Sequence, residues 1–142
     1  MIIVDTNVLS EEMKPVPAAT VLAWFRRQPV GDIFTTAVCQ AEILVGLAML
    51  PDGKRKFDLK ATARSVLGLF VGRILPFDTA AAIAYAEIVA TRQRTGRPIN
   101  DFDAQIAAIA QSRDMALATR NGSDFEGIGL QIIDPWAENP LR

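Results

Sequence analysis

Short apolar runs rich in β-branched residues alternate along this chain with longer stretches whose apolar residues recur at helical spacing. That alternation limits the fold more than any single residue does. Ile2-Ile3-Val4 is continuous and apolar, which reads as a strand buried on both faces and ending at Asp5. Asp32 to Thr36, Ile74 to Phe77, Met115 to Ala118 and Leu130 to Ile133 are the further strand candidates. Helices are expected over Ala18 to Gln28, over Ala37 to Leu50 before Pro51-Asp52-Gly53, and from Lys54 to about Val71. Two more are expected, one from Asp78 or Thr79 to near Gly96-Arg97-Pro98 and one from Asn100 or Asp101 to about Arg113. Strands alternating with helices predict an α/β fold with a parallel or mostly parallel sheet covered on both faces, and a functional crevice outside the carboxyl ends of its strands.

The chain has 142 residues, half of them hydrophobic, which matches one domain with a single sizeable core. Mean hydropathy is +0.20, yet no apolar run approaches the roughly 20 residues that a bilayer span needs. The N-terminus has no basic leader and no cleavage site, so a cytoplasmic protein with no membrane partner is the expectation. The single cysteine, Cys39, lies among Ala37, Val38 and Ala41 and reads as a small core residue. Histidine is absent, which removes Ser-His-Asp and Cys-His catalysis and any zinc site that needs imidazole. Oxygen chemistry is left. A net charge of −1 means that any nucleic-acid contact must come from a local basic patch.

The informative residues are carboxylates that the helical pattern turns inward. On the Ala37 helix an apolar stripe of Val38, Ala41, Val45 and Met49 places Glu42 at its edge. An unpaired charge there costs several kcal/mol, so Glu42 needs a cation, a metal or water. On the later helix, Phe102, Ile106 and Ile109 set an apolar face that takes in Asp103 and leaves Asp101 on the polar side, as a cap or a solvated charge. A first-turn position predicts a lowered pKa for Asp103. Asp5, at the end of a buried strand, stands in the expected crevice with Thr6 and Asn7 beside it; the same three residues also suit a simple Asx turn. Thr119-Arg120-Asn121 follows another inferred strand, so Asn121 or Asp124 can reach the same place, although Asn121-Gly122 is equally a turn pair.

Should these groups converge, each close pair repels by about 4 kcal/mol at an effective dielectric near 20. A cation must then hold them together. With oxygen ligands and no histidine, Mg²⁺ or Mn²⁺ is preferred, and such an ion suits phosphodiester hydrolysis.

The chain resembles PIN-domain ribonucleases, specifically VapC-type toxins of the branch that includes FitB. The likeness runs through Ile3-Val4-Asp5-Thr6-Asn7, Ala41-Glu42-Ile43, Gly72-Arg73-Ile74-Leu75-Pro76-Phe77, Asp103-Ala104-Gln105-Ile106-Ala107-Ala108, Thr119-Arg120-Asn121 and Asp134-Pro135-Trp136. It implies a roughly five-stranded parallel sheet flanked by helices. It further implies Mg²⁺ or Mn²⁺ on Asp5, Glu42, Asp103 and a fourth acidic position, and RNA cleavage by a metal-activated water. The position after Thr119-Arg120 that is often acidic holds Asn121 here, and Asp124 is the expected substitute. A homodimer, a VapB/FitA-like antitoxin that forms a higher hetero-oligomer with it, and DNA contact only through that antitoxin are implied as well.

RNA also needs cations. Lys54, Arg55, Lys56, Lys60 and Arg64 form one basic segment and Arg92, Arg94 and Arg97 another, each equally readable as solvated helix surface. Arg120, beside the inferred site, is the better phosphate clamp. Two other functions compete: a phosphoryl-transfer protein with Asp5 as nucleophile, and a catalytically inactive RNA- or partner-binding module. Asn7 stands where the former would carry a second aspartate, and the intact acidic set argues against the latter.

Overall fold

Ile2–Val4 forms strand β1 at the centre of a sheet, where the uninterrupted apolar run is satisfied from both faces. The computed structural model describes residues 1–137. The remaining strands are β2 (Ile33–Thr36), β3 (Ile74–Leu75), β4 (Ala116–Ala118) and β5 (Ile132–Ile133), all parallel, in the order β3-β2-β1-β4-β5. The helices are α1 (Thr6–Glu12), α2 (Ala19–Arg27), α3 (Ala37–Ala48), α4 (Lys54–Gly68), α5 (Thr79–Arg94) and α6 (Asp101–Ser112). The expected parallel α/β architecture is therefore the one observed.

Every expected strand and helix is found, but α1 was not anticipated. Its start is concealed because Asp5 ends a strand and caps a helix at once, accepting a hydrogen bond from Val8 N at 3.1 Å. Capping settles the other starts. Thr36 accepts from Cys39 N, Asp78 from Ala81 N and Asn100 from Asp103 N. Helix α4 stops at Gly68, three residues before the expected Val71, and Arg73 secures the exit by donating to the carbonyls of Val30, Ile33 and Leu69.

The core is built from Ile3 and Val4 of β1, Leu117 and Ala118 of β4, Val8 and Leu9 of α1, and the Ile106 to Ala110 run of α6. Alanines 104, 107, 108 and 110 are fully buried, so α6 approaches its neighbours closely. Cys39 and Trp24 are core residues, as expected of Cys39. No helix among the described residues is long and apolar enough to cross a membrane.

Two inferred apolar faces are corrected. On α3 the buried residues are Val38, Cys39, Ile43 and Leu47, whereas Val45 and Met49 are 59% and 81% exposed. Helix α3 is apolar nearly all round, so its pattern alone could not identify the inner face. On α6, Phe102 is exposed and the buried face starts at Ala104.

Candidate active site

The strand order reverses between β1 and β4, with β2 and β3 on one side and β5 on the other. A parallel sheet leaves a crevice above its carboxyl edge at such a reversal. Asp5 leaves β1 there and Thr119 leaves β4, with Asp5 N donating to Ala118 O at 3.1 Å.

Asp5 is 6% exposed, and burial raises its pKa from the usual 3.8 to about 6. The Thr119 hydroxyl and the amides of Val8 and Asn7 oppose that rise, while the charge on Asp103 adds to it. Thr119 is itself fully buried, and its oxygen accepts from Asn121 N at 3.1 Å. Asp5 is thus both a cap, as the turn reading held, and a costly buried charge.

Glu42 lies on α3 at the edge of the true buried face, adjacent to Val38 and Cys39, and is half-buried. Its Oε1 accepts from the Thr6 hydroxyl at 2.8 Å, which ties α3 to the first residue of α1. The stripe that singles out Glu42 is thus partly wrong, although Glu42 does lie at the edge of the buried face. Asp103 is also half-buried. Asn100 grips it twice, accepting from Asp103 N as the cap of α6 and donating Nδ2 to its Oδ2, both at 2.8 Å.

The expected lowering of the Asp103 pKa is reversed. Burial is the largest cause of a rise, followed by the charge on Asp124, with Glu42 contributing further; the hydrogen bond from Asn100 and the charge of Arg92 only partly offset them. Position in a first turn is a weak effect beside desolvation and several like charges. Asp103 is therefore the electrostatic hub, feeling Asp124 and Glu42 and itself acting on Asp5. Asp101 stays outside, exposed, accepting from the Tyr85 hydroxyl.

Asp124 sits in a short 3₁₀ segment, Gly122–Phe125, anchored by buried Phe125. What holds that segment is Arg92, which sequence reasoning assigned to a basic surface. Arg92 is buried; its Nη1 donates to Asp124 O at 2.7 Å and Glu126 O at 3.3 Å, and its Nε to Arg97 O at 2.6 Å. Arg97 adds an ion pair to Glu126 at 2.8 Å. The Arg92 side chain is thus a structural brace and unavailable to RNA. Lys60 and Arg64 of the other basic segment line a groove between α3 and α4 with Leu44, Leu67 and Val71.

Among the described residues, no group of three or more Asp, Glu or Cys side chains is placed so that it could hold a metal ion. The donors are all hard oxygens with excess negative charge. That chemistry fits Mg²⁺ or Mn²⁺, since Mg²⁺ is usually bound through one or two carboxylates and keeps several waters.

The PIN domain family model matches residues 2–129, which is most of the chain. The chain belongs to the PIN-domain family. Among curated PIN-domain relatives, the VapC ribonuclease Y4jK of Sinorhizobium fredii is 41% identical over 137 residues, covering 96% of this chain and 98% of that protein. Toxin FitB of Neisseria gonorrhoeae is 38% identical over 137 residues, covering 96% and 99%. Among solved structures, FitAB bound to the IR36 DNA fragment matches with a TM-score of 0.90 and 38% identity over 98% of each chain. The resemblance to VapC-type toxins drawn from scattered motifs therefore extends along nearly the whole PIN-domain chain.

Proposed function

We propose that this PIN domain is a Mg²⁺- or Mn²⁺-dependent endoribonuclease and the toxin of a VapBC-type toxin–antitoxin pair. The observation that carries the reading is the convergence of charge on Asp103: carboxylates from β1, α3, α6 and the Gly122–Phe125 segment act on one another at the sheet's reversal point. Like charges are brought together at a cost that a divalent cation removes. The names of the relatives support RNA as the substrate and an antitoxin as the partner.

Asp5, Glu42, Asp103 and Asp124 would hold the ion. When bound, it would lower the pKa of a water and neutralise charge on phosphoryl oxygens. The protein's own part is orientation. Asp5 is held by Val8 N, Glu42 by the Thr6 hydroxyl and Asp103 by Asn100, while Arg92 holds the backbone of the Asp124 segment, so three of the four carboxylates have a fixed partner that is not another carboxylate. Thr119 supports Asp5, and Asn7, Arg120 and Asn121 face the neighbouring cavity.

A VapB/FitA-like antitoxin inhibits the enzyme by inserting a basic side chain among these carboxylates, and DNA is contacted only through it. The toxin acts as a homodimer in the cytoplasm. Purified protein incubated with total cellular RNA tests the reading. Cleavage with Mg²⁺ or Mn²⁺ that stops with chelator and falls at least 100-fold in Asp103→Asn is expected. Undiminished cleavage by Asp103→Asn and Asp5→Asn refutes the assignment. RNA binding without cleavage favours the inactive module, and an aspartyl-phosphate formed from a phosphate donor favours the phosphoryl-transfer alternative.

A further inference from the structure

Next to the acidic site lies a cavity of about 400 Å³ lined by Asn7, Glu11, Lys14, Arg120, Asn121 and Trp136, among others. Two of its lining residues lie close in the chain to that site: Asn7 follows Asp5 by two residues and Asn121 follows Thr119 by two. Its charge is opposite in sign. The carboxylate present, Glu11, is buried and fully engaged: Oε1 accepts from Ala18 N at 2.9 Å and Oε2 pairs with Lys14 Nζ at 2.7 Å. Two cations against one carboxylate leave a net charge of +1.

Arg120 is the free member. Its guanidinium lies over the Trp136 ring, 5.2 Å from the centroid, and among the described residues it forms no ion pair. A stacked guanidinium is restrained, yet it keeps its N–H fork for a planar or tetrahedral oxyanion. Mutual repulsion in the acidic site would push away any phosphate that is not engaged by a cation. An RNA strand with one phosphate in the acidic site must place its next phosphate somewhere that offsets this repulsion.

The geometry points to this cavity as the subsite for the RNA phosphate adjacent to the cleaved one, with Arg120 as its main ligand, Lys14 as a second cation and Trp136 holding Arg120 in place. The assignment rests on the ribonuclease reading above, and it gives Arg120 and Lys14 roles in binding rather than in bond cleavage. Asn7 and Asn121 supply amides on the cavity wall.

The test uses the full chain and whichever RNA in a total cellular pool is cut fastest. Arg120→Gln is expected to raise KM about tenfold while kcat falls far less, since one charge-assisted phosphate contact is lost. The slope of log(kcat/KM) against log[salt] should shrink by about 0.7, the value for one contact to a single strand. Lys14→Gln should shrink it less, because Lys14 is already paired with Glu11. Arg120→Lys should restore the slope but only part of KM, because a point charge replaces a fork.

Binding of total cellular RNA to the Asp103→Asn chain without divalent metal, with and without Arg120→Gln, separates the two readings. RNA cleavage by the wild type with KM and salt slope unchanged in Arg120→Gln overturns the subsite and spares the ribonuclease. An absence of cleavage together with Arg120-dependent RNA binding does the reverse, and an absence of both cleavage and binding overturns the two together.

Discussion

Replacing Asp5 by Asn should stabilise the metal-free protein near neutral pH, although it removes a charge from the centre of the site. Asp5 is 6% exposed and its pKa stands at about 6 against the usual 3.8. Because the folded state holds the proton more tightly than the unfolded chain, folding is favoured by protonation. Stability contributed through this group is therefore full below pH 4 and is lost as pH rises from 4 through 6. Two pKa units correspond to about 3 kcal/mol of penalty at pH 7 to 8. Asn keeps an oxygen for Val8 N and caps helices as well as Asp does, so the substitution removes the penalty and retains the cap.

Urea unfolding of both proteins in chelator, from pH 4 to pH 8, gives the test. The advantage of Asp5→Asn should be near zero at pH 4 and grow to about 3 kcal/mol at pH 8, with unchanged m. Adding Mg²⁺ or Mn²⁺ should reverse the order, since only the wild type gains binding energy. A variant less stable than the wild type at every pH in chelator would refute the argument that burial and like charge strain this site.

Removing Arg92 should have the largest structural effect. Arg92→Met is expected to cost about 2 to 3 kcal/mol in urea unfolding, because three carbonyl contacts lose their buried donor, and Arg92→Lys should recover part of it. Asn100→Ala should cost about 1 kcal/mol and reduce kcat by more than the fold loss explains, since Asn100 both caps α6 and holds Asp103; thermal unfolding and RNA cleavage together read this. Glu11→Ala should cost about 1 to 3 kcal/mol at pH 7 by leaving Ala18 N and Lys14 without their partner. As Glu11 is held below the usual carboxylate range, chiefly by Lys14, that difference should shrink as pH falls through the acid range.

Where local chemistry had one solution, the sequence was readable. The run Ile2-Ile3-Val4 reads as a buried strand and is one, and the caps at Asp78 and Asn100 are legible to within one residue, because Thr79 and Asp101 beside them are acceptors too and the structure decides for the first of each pair. Glu42 and Asp103 stand out because a carboxylate on an apolar arc is expensive, and Asp5 because it ends a buried strand at the crevice. Helix α3 misled because its outward side carries Leu44, Val45 and Met49, and periodicity cannot choose a face when both are apolar. The pKa of Asp103 depends on Asp124 and Glu42, residues 21 and 61 positions away, and no local rule weighs them. Arg92 was equally hidden. An arginine in the last turn of a helix looks solvated until the loop carrying Asp124 folds over it.

Mn²⁺ binding followed by electron paramagnetic resonance tests the central claim most directly, because free Mn²⁺ loses its signal when bound. The account predicts that the metal-free protein takes up one or two ions per chain, that Asp103→Asn and Asp5→Asn each weaken uptake at least tenfold, and that Asp101→Asn leaves it unchanged. Equal uptake by the wild type and both site variants would contradict it.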